Sequence, residues 1–161
     1  MQSGKWRVVP AAVAVGVLVV LAGGSADAGA PAKAKKSCQL LKPSEITTAF
    51  GTEAGEGTQQ GSDCTWQVGD LALSLELTTK AAKSTFEGLR ELARDAGAPI
   101  QKITHLADQA VFAPVGSFKE LLVLKGKKFL FFRVLDIASP MDTDAARTAL
   151  VEVAKTGVKR V

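Results

Sequence analysis

Leu71, Leu73, Leu75 and Leu77 alternate with Ala72, Ser74, Glu76 and Thr78. Side chains on a strand point to opposite faces in turn, so this period of two predicts a strand with one face buried and one wet. A shorter strand, Cys64 to Val68, precedes it through a turn at Gly69-Asp70. The period then changes: Ala82, Phe86, Leu89, Ala93 and Ala96 recur at helical spacing, which predicts a helix over 81–96 ended by Gly97 and Pro99. Strand signals resume around Gln109 to Ala113. A hairpin follows, running from Glu120 to Lys125, turning at Gly126-Lys127 and returning through Lys128 to Asp136. Upstream, Pro43 to Phe50 reads as a short helix with Pro43 in its first turn, Ile46, Ala49 and Phe50 on one face and Gly51 to close it; Lys42 is a poor cap. The stretch 51–63 carries Gly51, Gly55, Gly57 and Gly61 with almost nothing apolar, and reads as a mobile loop. A last helix starts at Asp142 or Thr143, presents Ala146, Ala149, Leu150 and Val153 on one face, and is expected to fray after Gly157.

The order is therefore α-β-β-α-β-β-β-α. Neighbouring strands joined by tight turns pair antiparallel, so the fold class is α+β, an antiparallel meandering sheet with helices packed on it. The late hairpin departs from the earlier alternation. Leu121-Leu122-Val123-Leu124 and Phe129 to Leu135 are apolar on both faces, and such a strand must be covered on both sides. With helices on one side, the outward row Leu130, Phe132 and Val134 is either a binding face or a second core layer; a compact domain favours core. Lys125, Lys127 and Lys128 flank the run as gatekeeping charges in a solvated turn.

The N-terminus changes the picture of where this domain works. Lys5 and Arg7 precede an uncharged run from Val8 to Leu21, and Ala22 to Ala28 is small and ends in Ala26-Asp27-Ala28. Basic, apolar and small segments in that order predict a secretory signal peptide, residues 1–28, with an A-x-A cleavage site; the alternative is an uncleaved N-terminal anchor, for which the apolar run is short. Leu21-Ala22-Gly23 is followed by Gly24 where a lipidated cysteine would sit, so no lipid anchor is expected. Residues 29–37 then read as a basic flexible tether and 38–161 as one α+β domain, secreted or periplasmic, with no membrane span left after cleavage.

Charge and cysteines sharpen this only slightly. The chain has 20 Lys and Arg against 16 Asp and Glu, and removing Lys5, Arg7 and Asp27 leaves a net charge of about +3, too small an excess to argue for nucleic acid. Cys38 and Cys64 are the only cysteines, and in an oxidising compartment they predict one disulfide, worth roughly 3 to 3.5 kcal/mol for a loop of this length. Trp66, two residues from Cys64, shares its face and reads as a core aromatic over that bond.

Cys38-Gln39-Leu40-Leu41-Lys42-Pro43-Ser44-Glu45, the glycine-rich loop before Cys64-Thr65-Trp66, and Leu106 to Phe112 ahead of a Lys-Gly hairpin together resemble small exported bacterial domains. Many of those are actinobacterial lipoproteins in families of unknown function. The resemblance runs from Cys38 to the C-terminus and implies the fold, no enzymatic activity and no site residue. This chain differs from the lipoprotein members in lacking the lipidated cysteine.

No catalytic or metal-binding motif is found. His105 is the only histidine, in a connecting segment, and zinc would need more ligands than it and the cysteines supply. Glu53/Glu56 lie in the glycine-rich loop, and capping explains Asp142/Asp144. Gly55 to Gly61 follows a helix and precedes a strand, the reverse of a phosphate cradle. The expectation is an exported, non-enzymatic binding or interaction domain without cofactor. Its partner would be a protein or a small apolar ligand, met by the outer face of the late hairpin. The alternatives are a hydrolase-type enzyme and an envelope protein held electrostatically through Lys33, Lys35 and Lys36.

Overall fold

Three helices and one antiparallel sheet are built where the two periods change over. A computed structural model describes residues 37–137 and 140–161. The signal segment and the tether up to residue 36 lie outside the described residues; Ser37, placed in the tether by sequence, is buried in a 3-10 turn over Ser37–Gln39. The elements are α1 (Pro43–Phe50), β1 (Thr58–Gln60), β2 (Asp63–Val68), β3 (Leu71–Thr78), α2 (Ala82–Asp95), β4 (Gln101–Lys102), β5 (Gln109–Val115), β6 (Phe118–Lys125), β7 (Lys128–Asp136) and α3 (Thr143–Lys159). Two short strands are additions to the expected order: β1, inside the stretch expected to be a mobile loop, and β4.

All seven strands form one sheet in the order β1-β2-β3-β7-β6-β5-β4. It is two meanders joined by β3 and β7, which pair from Leu71↔Asp136 to Thr78↔Phe129. The joint needs a long connection from β3 to the far edge, and α2 makes it across one face of the sheet. Helices α1 and α3 pack on the opposite face. The sheet's two faces thus carry separate cores. The larger, under α1 and α3, holds Trp66, Leu73, Leu75, Phe112, Leu121, Val123, Leu130, Phe132 and Val134. The smaller, under α2, holds Phe86, Val111, Leu122, Leu124, Phe129 and Phe131.

This arrangement explains the doubly apolar hairpin and corrects the reading of its outward row. Leu130, Phe132 and Val134 are each 0 % exposed and lie on the α1/α3 side. They are core, and the binding-face reading of these three side chains is withdrawn. Helix α3 runs on to Lys159, past Gly157 where fraying was expected, because its last turn is packed down: Gly157 and Val158 are buried, and a Cβ at Gly157 would touch the Phe132 ring at 3.4 Å. Lys125 of the hairpin donates to the Val158 carbonyl at 2.6 Å, satisfying an acceptor of the helix's last turn.

Cys38 and Cys64 are joined as expected, and Trp66 is buried on the same side of β2 as Cys64. Asp142 caps α3 by accepting from the amides of Asp144 and Ala145. At α1 the cap is one-armed: the Glu45 carboxylate accepts from the Lys42 amide at 2.8 Å, and a lysine side chain cannot return the bond. No helix among the described residues is long and apolar enough to cross a membrane.

Candidate functional site

Helix α2 covers only part of its face of the sheet, and the uncovered part has an ordered layout set by strand register. Two rows of side chains lie side by side across five strands. One is polar: Thr65, Ser74, Arg133 and Glu120, ending on buried Ala113. The next is largely apolar: Gln67, Ala72, Leu135, Phe118 and Val115. Ile137 lies beside this row, just past the end of β7, where its amide donates to the Asp70 carbonyl at 3.1 Å; it is 58 % exposed.

Arg133 is the centre of this surface. Its guanidinium carbon stands 4.6 Å from the centroid of the Phe131 ring and 5.0 Å from that of Phe118. Its Nε donates to Glu120 Oε1 at 3.0 Å. Neither Nη makes a hydrogen bond to a described residue, and the side chain keeps 38 % of its exposure. A guanidinium donates through two edges, and here Glu120 is bonded on the side edge while the end-on fork meets no acceptor among the described residues. The aromatic rings hold the plane, so the fork is oriented before anything binds it.

Glu120 is the less exposed partner, its side chain 12 % exposed against 38 % for Arg133. Burial pushes its carboxyl above the ordinary value, against the opposing pull of the Arg133 charge and hydrogen bond. The pair is one acid and one base side by side with no hydroxyl bonded to either, which suits anion recognition and supplies no activated nucleophile.

The residues weighed from sequence are scattered. His105 is exposed in the turn after β4, the edge strand three places from Arg133's strand β7. Glu53 and Glu56 are exposed in the segment between α1 and β1, and Asp142 is occupied as a cap. Among the described residues no three His, Cys, Asp or Glu side chains gather to hold a metal. Sequence reasoning missed Glu120 and Arg133, although the signal was present. A two-residue turn at Gly126-Lys127 pairs Lys125 with Lys128, and counting back from it sets Glu120 opposite Arg133. No family model matches the chain, and no curated protein or solved structure matches it.

Proposed function

We propose that this protein is an exported, non-enzymatic binding domain for a small amphipathic ligand. The ligand's acidic head sits on the Arg133 fork and its apolar part lies along Leu135, Phe118 and Val115. The observation that carries the reading is the free, ring-stacked end of the Arg133 guanidinium beside a partly exposed apolar row. A surface arginine serving only as a salt-bridge partner gains little from being held so firmly. A guanidinium fixed in a plane loses less freedom on binding a carboxylate bidentately. Export is supported by the N-terminal segment order, by the Cys38–Cys64 bond, which suits an oxidising compartment, and by the resemblance to small exported bacterial domains.

The test is calorimetric titration with laurate and with dodecanol, on wild type and on Arg133→Met, which keeps the apolar stem. Laurate should bind the wild type roughly 10- to 100-fold more tightly than it binds the variant, the worth of charge-assisted hydrogen bonds, while dodecanol should not discriminate. Equal laurate affinity in the two proteins, or none in the wild type, overturns the reading.

A further inference from the structure

Among the described residues the sheet ends at β4, and nothing pairs with that edge. The bond from the Ile103 amide to the Ala110 carbonyl, 2.9 Å, fixes the phase of the β4–β5 ladder. Gln101 and Ile103 turn their backbone groups toward β5, so Lys102 and Thr104 turn theirs outward. Neither makes a hydrogen bond to a described residue. Helix α3 stands beside this edge, where Arg147 Nη1 donates to Gln101 Oε1 at 2.6 Å. Between strand and helix runs a groove of about 390 Å³, with Ile103 and Val151 as its apolar lining and Lys102, Arg147 and Glu152 as its charges.

Outward amide and carbonyl groups at alternate residues, alongside a helix, match one kind of occupant: an extended backbone laid down as a further strand. We propose that this edge takes an extended segment of another protein as an eighth strand, with alternating apolar and acidic residues. The alternation follows from the geometry. A residue opposite Lys102 shares its face of the sheet, and Lys102 has no ion-pair partner among the described residues, so a carboxylate belongs there. The flanking residues of the same segment point to the other face, into the groove beside Ile103 and Val151. A second copy of this chain is a poorer occupant. In the two-fold register centred on Lys102, two β4 edges would set like charges directly opposite, and in the register centred on Ile103 each Lys102 would face Thr104, so no self-pairing centred on these residues gives it a carboxylate. This surface is separate from the Arg133 site and stands or falls without it.

Lys102→Pro is the decisive variant. It deletes an amide that points away from β5, so the β4–β5 ladder can persist while an added strand loses a donor. The probes are two acetylated, amidated hexapeptides, one alternating valine with glutamate and one alternating valine with lysine, titrated into the full chain by calorimetry and amide hydrogen exchange. The glutamate peptide should bind and slow exchange at the Lys102 and Thr104 amides. Lys102→Pro should weaken it at least about tenfold, the worth of a backbone hydrogen bond, and Lys102→Glu should reverse the preference toward the lysine peptide. If Lys102→Pro melts far below wild type, the Lys102→Glu reversal decides alone. The proposal is overturned by the absence of binding, by equal affinity for the two peptides, or by a well-folded Lys102→Pro that binds like wild type. It is also overturned, in favour of self-pairing, by a dimer in sedimentation equilibrium that Lys102→Pro dissolves.

Discussion

Gly57 and Ala81 show how much a single backbone position decides in this chain. Gly57 lies against the disulfide and the indole: a Cβ there would meet Trp66 Nε1 at 2.5 Å and Cys64 Sγ at 2.7 Å. Both atoms belong to buried, covalently or sterically fixed groups, so neither can step aside cheaply. Gly57→Ala should therefore destabilise the domain by about 1 to 3 kcal/mol, read from urea or thermal unfolding. Ala81 is the opposite case. It opens α2 in a left-handed conformation (φ 53°, ψ 28°), exposed, with no side-chain cap. A Cβ is unfavourable in that region, so Ala81→Gly should stabilise by about 1 kcal/mol, and a drop in melting temperature would refute the assignment of strain. The two substitutions are inverse in kind, and their expected signs are opposite because one site lacks room and the other lacks conformational freedom.

At the scale of elements, what sequence displayed was periodicity, and what it hid was which helix covers which face. The boundaries of α1, β3 and β7 coincide with the apolar pattern because each has a strong period and a clear terminator. Strands β1 (Thr-Gln-Gln) and β4 (Gln-Lys) carry no apolar alternation; their pairing comes from neighbours already in place, so nothing local announces them. The hairpin's two rows were both visible, but the assignment of the outward one was reversed. Arg133 lies among Phe129, Phe131 and Leu135, whereas Leu130, Phe132 and Val134 include no charge, and the row that carries a charge is the one that borders water. The arrangement predicts a split response to one type of change. Phe132→Ser should cost several kcal/mol, through lost burial and a stranded hydroxyl under α3. Leu135→Ser, one row over on the uncovered part, should cost about 1 kcal/mol or less while weakening ligand uptake. Chemical denaturation of both variants distinguishes the rows, and equal costs would refute the placing of Phe132 in the core and Leu135 on the uncovered face.

For the molecule as a whole, two carboxylates of opposite behaviour tie stability to pH. Glu45 joins the two ends of the domain: Arg160, at the close of α3, donates to Glu45 Oε2 at 2.7 Å and Oε1 at 2.5 Å, and to the Leu40 carbonyl at 2.8 Å. The hydrogen bond from Arg160, helped by the Lys42 amide and opposed by modest burial, holds the Glu45 carboxyl below its ordinary value. A depressed folded-state pKa means the unfolded chain binds a proton first as pH falls. The stability Glu45 confers is therefore complete above the ordinary glutamate value of about 4.3 and drains away as pH falls through the lower folded value. Glu120 runs the other way. Burial raises its folded-state pKa, so its contribution is greatest below the ordinary value and declines as pH rises through that value toward the raised one. Stability measured from pH 3 to pH 7 on Glu45→Gln and Glu120→Gln should show this directly. The destabilisation by Glu45→Gln, about 1 kcal/mol at neutral pH for a partly exposed bidentate pair, should shrink toward acid. The stability of Glu120→Gln relative to wild type should instead fall toward acid and improve toward neutral pH, because the wild-type carboxyl is ionised at a burial cost only there. Parallel slopes for the two variants would mean that one of the two carboxylates does not sit in the surroundings described.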